Sequence, residues 1–177
     1  SSQLVGSPRS NIALYGETAP VTLYDNLGVT VALGTDWTLS GSTNILRELA
    51  CANDLDENHY DDHFSDRDLW LMATRNAAIA LGAQGQLGRL RTGLIADIAI
   101  FDQEMGDDHS AIIGAHAGNV ELVFRGGAPL TGDTQALKAV LWEAESGGKT
   151  ALYDGVAKAV SLRTPNDRRA IVVVFTD

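Results

Sequence analysis

The sequence predicts an α/β fold that gives way, near residue 85, to a smaller layer of β-strands. Three observations carry this expectation. Residues 29–33, Val-Thr-Val-Ala-Leu, form a compact apolar and β-branched run without in-out alternation, the pattern of a parallel strand covered on both faces. One helical pattern precedes it and another follows it, which is the order of β/α units. Beyond Gly82 the pattern changes to short β-prone runs separated by glycines.

Taken in order, residues 7–18 are polar and turn-like, with Pro8, Asn11 and Gly16. Val21, Leu23, Tyr24 and Leu27 then follow helical spacing, with Gly28 as the expected C-cap. After the strand, Ser40 or Ser42 is expected to cap a helix whose apolar face holds Ile45, Leu46, Leu49 and Ala52. Residues 53–68 carry Asp54, Asp56, Glu57, Asp61, Asp62, Asp66 and Asp68, and so much charge predicts a solvated excursion. A helix is expected over residues 69–81, capped by Asp66 and ended by Gly82. Strands are expected at residues 85–93, 96–102 and 120–125, the last followed by a turn at Gly126-Gly127. An amphipathic helix over residues 134–145, with Leu137, Val140 and Leu141 on one side, and a β-prone run over residues 170–175 complete the chain. The change of pattern divides it into residues 1–84 and 85–177, with no internal repeat or low-complexity linker at the boundary.

Composition narrows the function classes. A chain of 177 residues can bury one sizeable core, and 45% hydrophobic with 20% charged residues is ordinary for a folded globular protein. Its 23 acidic against 13 basic residues give a formal charge of −10, which disfavours nucleic acid, because phosphate-backbone binding needs clustered Lys and Arg. No apolar run approaches the roughly 20 residues of a spanning helix, so no membrane partner is expected. The single cysteine, Cys51, excludes an internal disulfide and points to a reducing, cytoplasmic compartment. Cys51 itself reads as a small buried hydrophobe on a helix rather than a nucleophile. The opening Ser-Ser-Gln-Leu-Val has neither an initiator Met nor a signal-peptide pattern and is read as a cut end.

The segment richest in chemistry is Gly34-Thr35-Asp36-Trp37, directly after the apolar strand. Catalytic residues of β/α barrels sit at the C-terminal ends of the strands. An ionised carboxylate there is costly to desolvate unless a cation or hydrogen-bond donors compensate it. A bound metal is one reason for Asp36, and a helix cap or turn is the other. His59 and His63 are four apart and could share a helix face as metal ligands, yet their acidic surroundings favour an exposed loop, and the Glu of a His-Glu-x-x-His site is absent. His109 and His116 read as surface residues. Gly126-Gly127 and Gly147-Gly148 read as turn glycines rather than phosphate cradles.

The run Gly34-Thr35-Asp36, preceded by Gly28-Val29 and a strand and followed by Ser40 and a helix with Arg47-Glu48-Leu49, resembles the last barrel strand of the amidohydrolase superfamily. Residues 74–81, then 85–93 and Ala96-Asp97-Ile98-Ala99-Ile100-Phe101, are similar to that superfamily's tail. There a helix rich in threonine, asparagine and alanine leads into strands that return to a small β-sandwich. Ser7-Pro8-Arg9-Ser10-Asn11 resembles the Pro-x-Ser-Asn turn of the branch containing guanine and cytosine deaminases and chlorotriazine hydrolases. The three matches occur in family order.

The resemblance implies the last strands and helices of a (β/α)8 TIM-like barrel followed by strands of a small β-sandwich. It implies a divalent metal, zinc or iron, and a small cyclic substrate hydrolysed at a C–N bond or ring substituent by metal-activated water. Asp36 would be both metal ligand and catalytic residue, taking a proton from that water and passing it to the leaving group. Trp37 and Ser40 would lie on the loop over the pocket, against the alternatives of core packing for Trp37 and helix capping for Ser40. Asp97 is expected to pin the sandwich rather than react.

The superfamily's His-x-His pair, its mid-barrel Lys or Glu and its later histidines have no counterpart here, and a whole barrel takes about 250 residues. A catalytic zinc commonly needs three protein ligands, so Asp36 alone is expected to bind metal poorly, and the chain to be a C-terminal fragment that is inactive alone. A bare barrel edge would be covered by rearrangement or by another copy, so a homo-oligomer is a further expectation. The rival readings are a noncatalytic piece that completes a barrel or mediates assembly, and a self-contained β-rich binding module.

Overall fold

The computed structural model describes residues 2–102, 105–106, 108–130 and, for the backbone, 131–132 and 171–173. The first strand, β1 (Gln3–Gly6), runs parallel to β2 (Thr30–Leu33), with Gln3 opposite Thr30 and Gly6 opposite Leu33. Between them lie α1 (Pro8–Tyr15) and α2 (Val21–Asn26). The expected strand at residues 29–33 is therefore present as β2, parallel and buried through Val31, Ala32 and Leu33.

Residues 7–18 are not the turn that their composition predicted. Pro8 occupies the first helical position, where its fixed φ suits a helix and its missing N–H costs nothing. Gly16, at φ 78°, then ends α1 by donating its N–H to the Ile12 carbonyl. What read as two turn signals are the start and stop of a helix.

The next helix, α3 (Ile45–His59), also departs from expectation at both ends. Its N-cap is Asn44, whose side chain accepts from the Arg47 N–H; Ser40 and Ser42 are turned elsewhere. The helix runs on through the acidic stretch because most of that charge faces outward. Asn53 donates to Glu57, and Asn58 to Asp54, at one-turn spacing. Asp56 faces inward instead, buried, and accepts the Phe64 N–H as the chain turns after Tyr60.

The single helix expected over residues 69–81 is two, α4 (Asp66–Ala73) and α5 (Arg75–Ala80), broken at Thr74. Ser65, not Asp66, is the N-cap of α4, and it forms a reciprocal capping box with Asp68. Residues 85–93 form turns rather than a strand. Gly88, at φ 83°, lies so close to α5 that a Cβ would come within 2.6 Å of the Ala78 Cβ.

The expected β-layer follows. β3 (Ile98–Phe101), α6 (Ser110–Ile113), a 3-10 turn at Ala117–Asn119, β4 (Val120–Arg125), β5 (Ala128–Gly132) and β6 (Ile171–Val173) build an antiparallel sheet in the order β5-β4-β3-β6. Gly126 and Gly127 both have positive φ and close the two-residue β4–β5 hairpin. Asp97 accepts from the Gly126 N–H at 2.6 Å, the pinning role expected of it. The helix expected over residues 134–145 lies outside the described residues, and of the run over 170–175 only β6 is described.

One apolar core links the two sheets. Val31 and Leu33 of β2 pack with Leu46, Leu49, Leu69 and Met72 of the helices and with Ala99, Phe101 and Ile112. Burying such side chains contributes roughly 1.5–3 kcal/mol each, which ties β2, the helix layer and β3 into one core. Asn76 of α5 adds a directional tie, donating to the Val31 carbonyl at 2.8 Å. Among the described residues, no helix is long and apolar enough to cross a membrane.

Candidate functional site

The C-terminal ends of β1 and β2 lie side by side, and the candidate site is built where they release the chain. The Gly34 N–H bonds the Gly6 carbonyl, extending the parallel pairing one step beyond β2. Gly34 is tightly placed, since a Cβ would stand 3.0 Å from Val5 Cγ1 and that side chain would have to give by a few tenths of an ångström. Asp36 follows at φ 54°, a left-handed conformation that Asp tolerates better than most residues. The loop then folds back: Gly41 N–H bonds Trp37 O at 2.6 Å, and Ser42 N–H bonds Thr35 O at 3.1 Å.

The first turn of α1 supports this loop from below. Ser10, 1% exposed, donates its hydroxyl to Asp36 Oδ2 at 2.5 Å, and its Oγ lies 2.8 Å from Ser40 Oγ. An ionised carboxylate only accepts, so the Ser10 proton goes to Asp36 and Ser40 donates to Ser10. Arg9 fastens the same turn through its side chain, with Nε on Ser42 Oγ at 2.9 Å and a terminal nitrogen on the Arg47 carbonyl. Its backbone N–H is taken by Glu48 Oε1. Ser7, the N-cap residue of α1, makes no capping bond, so a carboxylate from α3, fully buried, serves the helix N-terminus instead.

The residues singled out by sequence fall as follows. Asp36 is at the end of β2, with its side chain on the exposed side of the loop. Trp37 does not pack into the described core; it stands 61% exposed beside Leu39 at 79%. Ser40 is not a helix cap but the outer member of the hydroxyl chain to Asp36. His59 ends α3 exposed, and His63 pairs with Asp25 at 2.9 Å. His116 is exposed, whereas His109 is half-buried with its ring against Trp70. Cys51 is half-buried on α3, and burial pushes its thiol pKa up, which suits the inert residue expected. Sequence reasoning passed over Arg9, Ser42 and Glu48 as site residues, and over the role of Ser10. The Pro-x-Ser-Asn match was the one local signal for Ser10.

A groove of about 350 Å³ lies at the other end of β2, lined by Gly28, Thr30, His63, Asp68 and Asn76; it includes none of Asp36, Trp37 or Ser40. Among the described residues, the ligating atoms near Asp36 are few. Its Oδ1 has no hydrogen-bond partner among the described residues, which suits a carboxylate that ligates a cation. No group of three or more His, Cys, Asp or Glu that could hold a metal occurs among them. Asp36 therefore fits as one member of a ligand set, not as a whole one.

The class of fold is settled by its likeness to solved structures. An adenosine deaminase from Xanthomonas campestris with bound zinc superposes with a TM-score of 0.66 at 23% identity, over 90% of this chain and 38% of that one. This likeness indicates a TIM-barrel-type α/β fold. A mutant of the atrazine chlorohydrolase of Arthrobacter aurescens, complexed with zinc and atraton, matches at 27% identity with a TM-score of 0.59, over 89% of this chain and 35% of that one. The sequence pattern of the amidohydrolase family matches residues 6–130, and the chain belongs to that family. Two 5-methylthioadenosine/S-adenosylhomocysteine deaminases are similar in sequence. That of Pyrococcus abyssi is 33% identical over 142 residues, 73% of this chain, and that of Clostridium tetani 29% identical over 135 residues, 71% of this chain. The chain spans about a third of the length of these curated relatives.

Proposed function

We propose that the chain contributes the last strand and its catalytic loop to a metal-dependent hydrolase acting on a C–N bond or ring substituent of a small cyclic molecule. On this reading residues 1–84 are the C-terminal part of the barrel and residues 85–177 belong to a β-sandwich. The single observation that carries it is Asp36, held at the C-terminal end of a buried parallel strand by a hydroxyl from the first turn of α1, the helix that follows its neighbour strand. The family match and the deaminase and chlorohydrolase relatives support the reaction class, since both names describe removal of a substituent.

A divalent ion, when bound, supplies Lewis acidity and brings the pKa of its water towards neutrality. Asp36 Oδ1 is the chain's own donor to such an ion and the atom able to hold a proton during the reaction. Ser10 keeps Oδ2 occupied, and Trp37 and Ser40 lie on the loop that would border a substrate. Further ligands must come from beyond the described residues.

The decisive test uses a protein that carries the complete ligand set. Asp36→Asn is expected to abolish turnover of amino- or chloro-substituted heterocycles while leaving the circular dichroism spectrum unchanged; near-normal rates would remove Asp36 from the mechanism.

A second reading, for the chain by itself, is that it completes a barrel or mediates assembly without turnover, Asp36 being the one ligand that the described residues bring to the site. Elemental analysis and activity assays of the purified 177-residue chain separate the two. Stoichiometric zinc together with turnover would exclude the second reading.

A further inference from the structure

We infer that Ser10 is a positioning residue for Asp36, fixing the carboxylate's rotamer and leaving Oδ1 as its free oxygen. The inference rests on the reading of Asp36 given above. Asp36 stands on an exposed loop, where a carboxylate with no partner would sample several staggered rotamers. Ser10 is the opposite case: 1% exposed, on the first turn of α1.

Three tethers hold that turn to α3 and the loop: Glu48 Oε1 on the Arg9 N–H, Ser42 Oγ on Arg9 Nε, and the Arg47 carbonyl on the Arg9 guanidinium. The contact to Asp36, at 2.5 Å, is a charge-assisted bond of the short, strong kind. The Ser40 hydroxyl, donating from behind, polarises the Ser10 O–H further towards the carboxylate. Order therefore passes from the buried face of α3, through Arg9 and Ser10, to a carboxylate that would otherwise be loose. Outer partners of this kind typically change activity or metal affinity by about 10–100-fold when removed.

The test reads the rotamer directly, without metal or substrate. In the full chain, the three-bond Hα–Hβ couplings of Asp36 are measured by NMR for the wild type, Ser10→Ala and Ser10→Thr. The expected result is one rotamer in the wild type and in Ser10→Thr, which keeps the hydroxyl, and averaged couplings in Ser10→Ala with the amide shifts of Leu49 and Phe101 unmoved. Couplings in Ser10→Ala equal to the wild type, or a wild type already averaged, would overturn the inference. Ser10→Cys, which keeps the volume and weakens the donor, gives the same two outcomes if the alanine variant does not fold.

In a protein with the complete ligand set, Ser10→Ala is expected to lower kcat about 10–100-fold, with Ser10→Thr restoring most of it. Unchanged kcat in Ser10→Ala beside an inactive Asp36→Asn would refute the positioning role and leave Asp36 in place. An active Asp36→Asn with averaged couplings in Ser10→Ala would do the reverse.

Discussion

Gly41→Ala is the sharpest probe of the loop that carries Asp36. A Cβ at Gly41 would stand 1.9 Å from the Thr35 carbonyl oxygen and 3.0 Å from that of Trp37. Both obstacles are backbone, so no side chain can swing away to make room. Carbon and oxygen approach no closer than about 3.3 Å even in favourable C–H···O contacts, so the two arms of the loop must part by about 1.4 Å. The Ser42 N–H to Thr35 O bond, at 3.1 Å, would then be stretched beyond hydrogen-bond range, and the Gly41 N–H to Trp37 O bond, at 2.6 Å, would be strained with it. At about 1 kcal/mol net for each, the loss of both costs about 2 kcal/mol, and less where water replaces them.

Asp36 follows Thr35 directly, so it shifts by a similar distance. A displacement of about 1 Å in a catalytic constellation lowers rates on the order of 100-fold. Two assays apply: the urea midpoint of the chain at constant m-value, and kcat/KM in a protein with the complete ligand set. A Gly41→Ala variant within about 0.5 kcal/mol of the wild type, with unaltered amide shifts at Thr35, Asp36 and Ser42, would refute the steric argument.

Two further predictions concern the frame. Asn76→Asp removes the donor to the Val31 carbonyl and is expected to cost about 1–3 kcal/mol in urea unfolding, because a half-buried bond to β2 is replaced by two opposed acceptors. Burial raises the Asp56 pKa above its usual 3.8, with the Phe64 N–H pulling the other way. A raised pKa means that the folded state holds the proton more tightly than the unfolded chain. The associated stability is therefore complete below the unfolded value and is lost as pH rises through the folded one. Urea midpoints of the wild type and Asp56→Asn, compared from pH 3 to pH 7, should show the wild type losing ground to the variant with rising pH; a constant difference would contradict this.

Where a pattern is local, the sequence determined the outcome. The unbroken apolar run became β2, paired Gly126 and Gly127 became a hairpin turn, and Gly28 followed the last turn of α2. These features depend on φ preferences and on burial over a few residues. The same is true of Asp36 as a candidate, since a carboxylate immediately after a buried strand is visible as a pattern.

Tertiary structure decided the rest. Residues 53–59 look like a solvated excursion by composition, but an amphipathic helix needs only one apolar face, and Leu55 supplied part of it. Pro8 reads equally as a turn residue and as a helix start; packing of α1 against α3 chose the second. Ser40 and Ser42 had the chemistry of caps but were drawn to Ser10 and Arg9, leaving Asn44 to cap α3. Asp36 and Ser10 are 26 residues apart, and Arg9 and Glu48 are 39 apart. Local preference acts over the three or four residues of one turn, whereas these polar contacts need strand ends and helices that the packing of Val31, Leu33 and Leu49 holds together. A buried hydroxyl or carboxylate is costly without a partner, and Ser10 Oγ and Glu48 Oε1 find theirs in the support beneath Asp36.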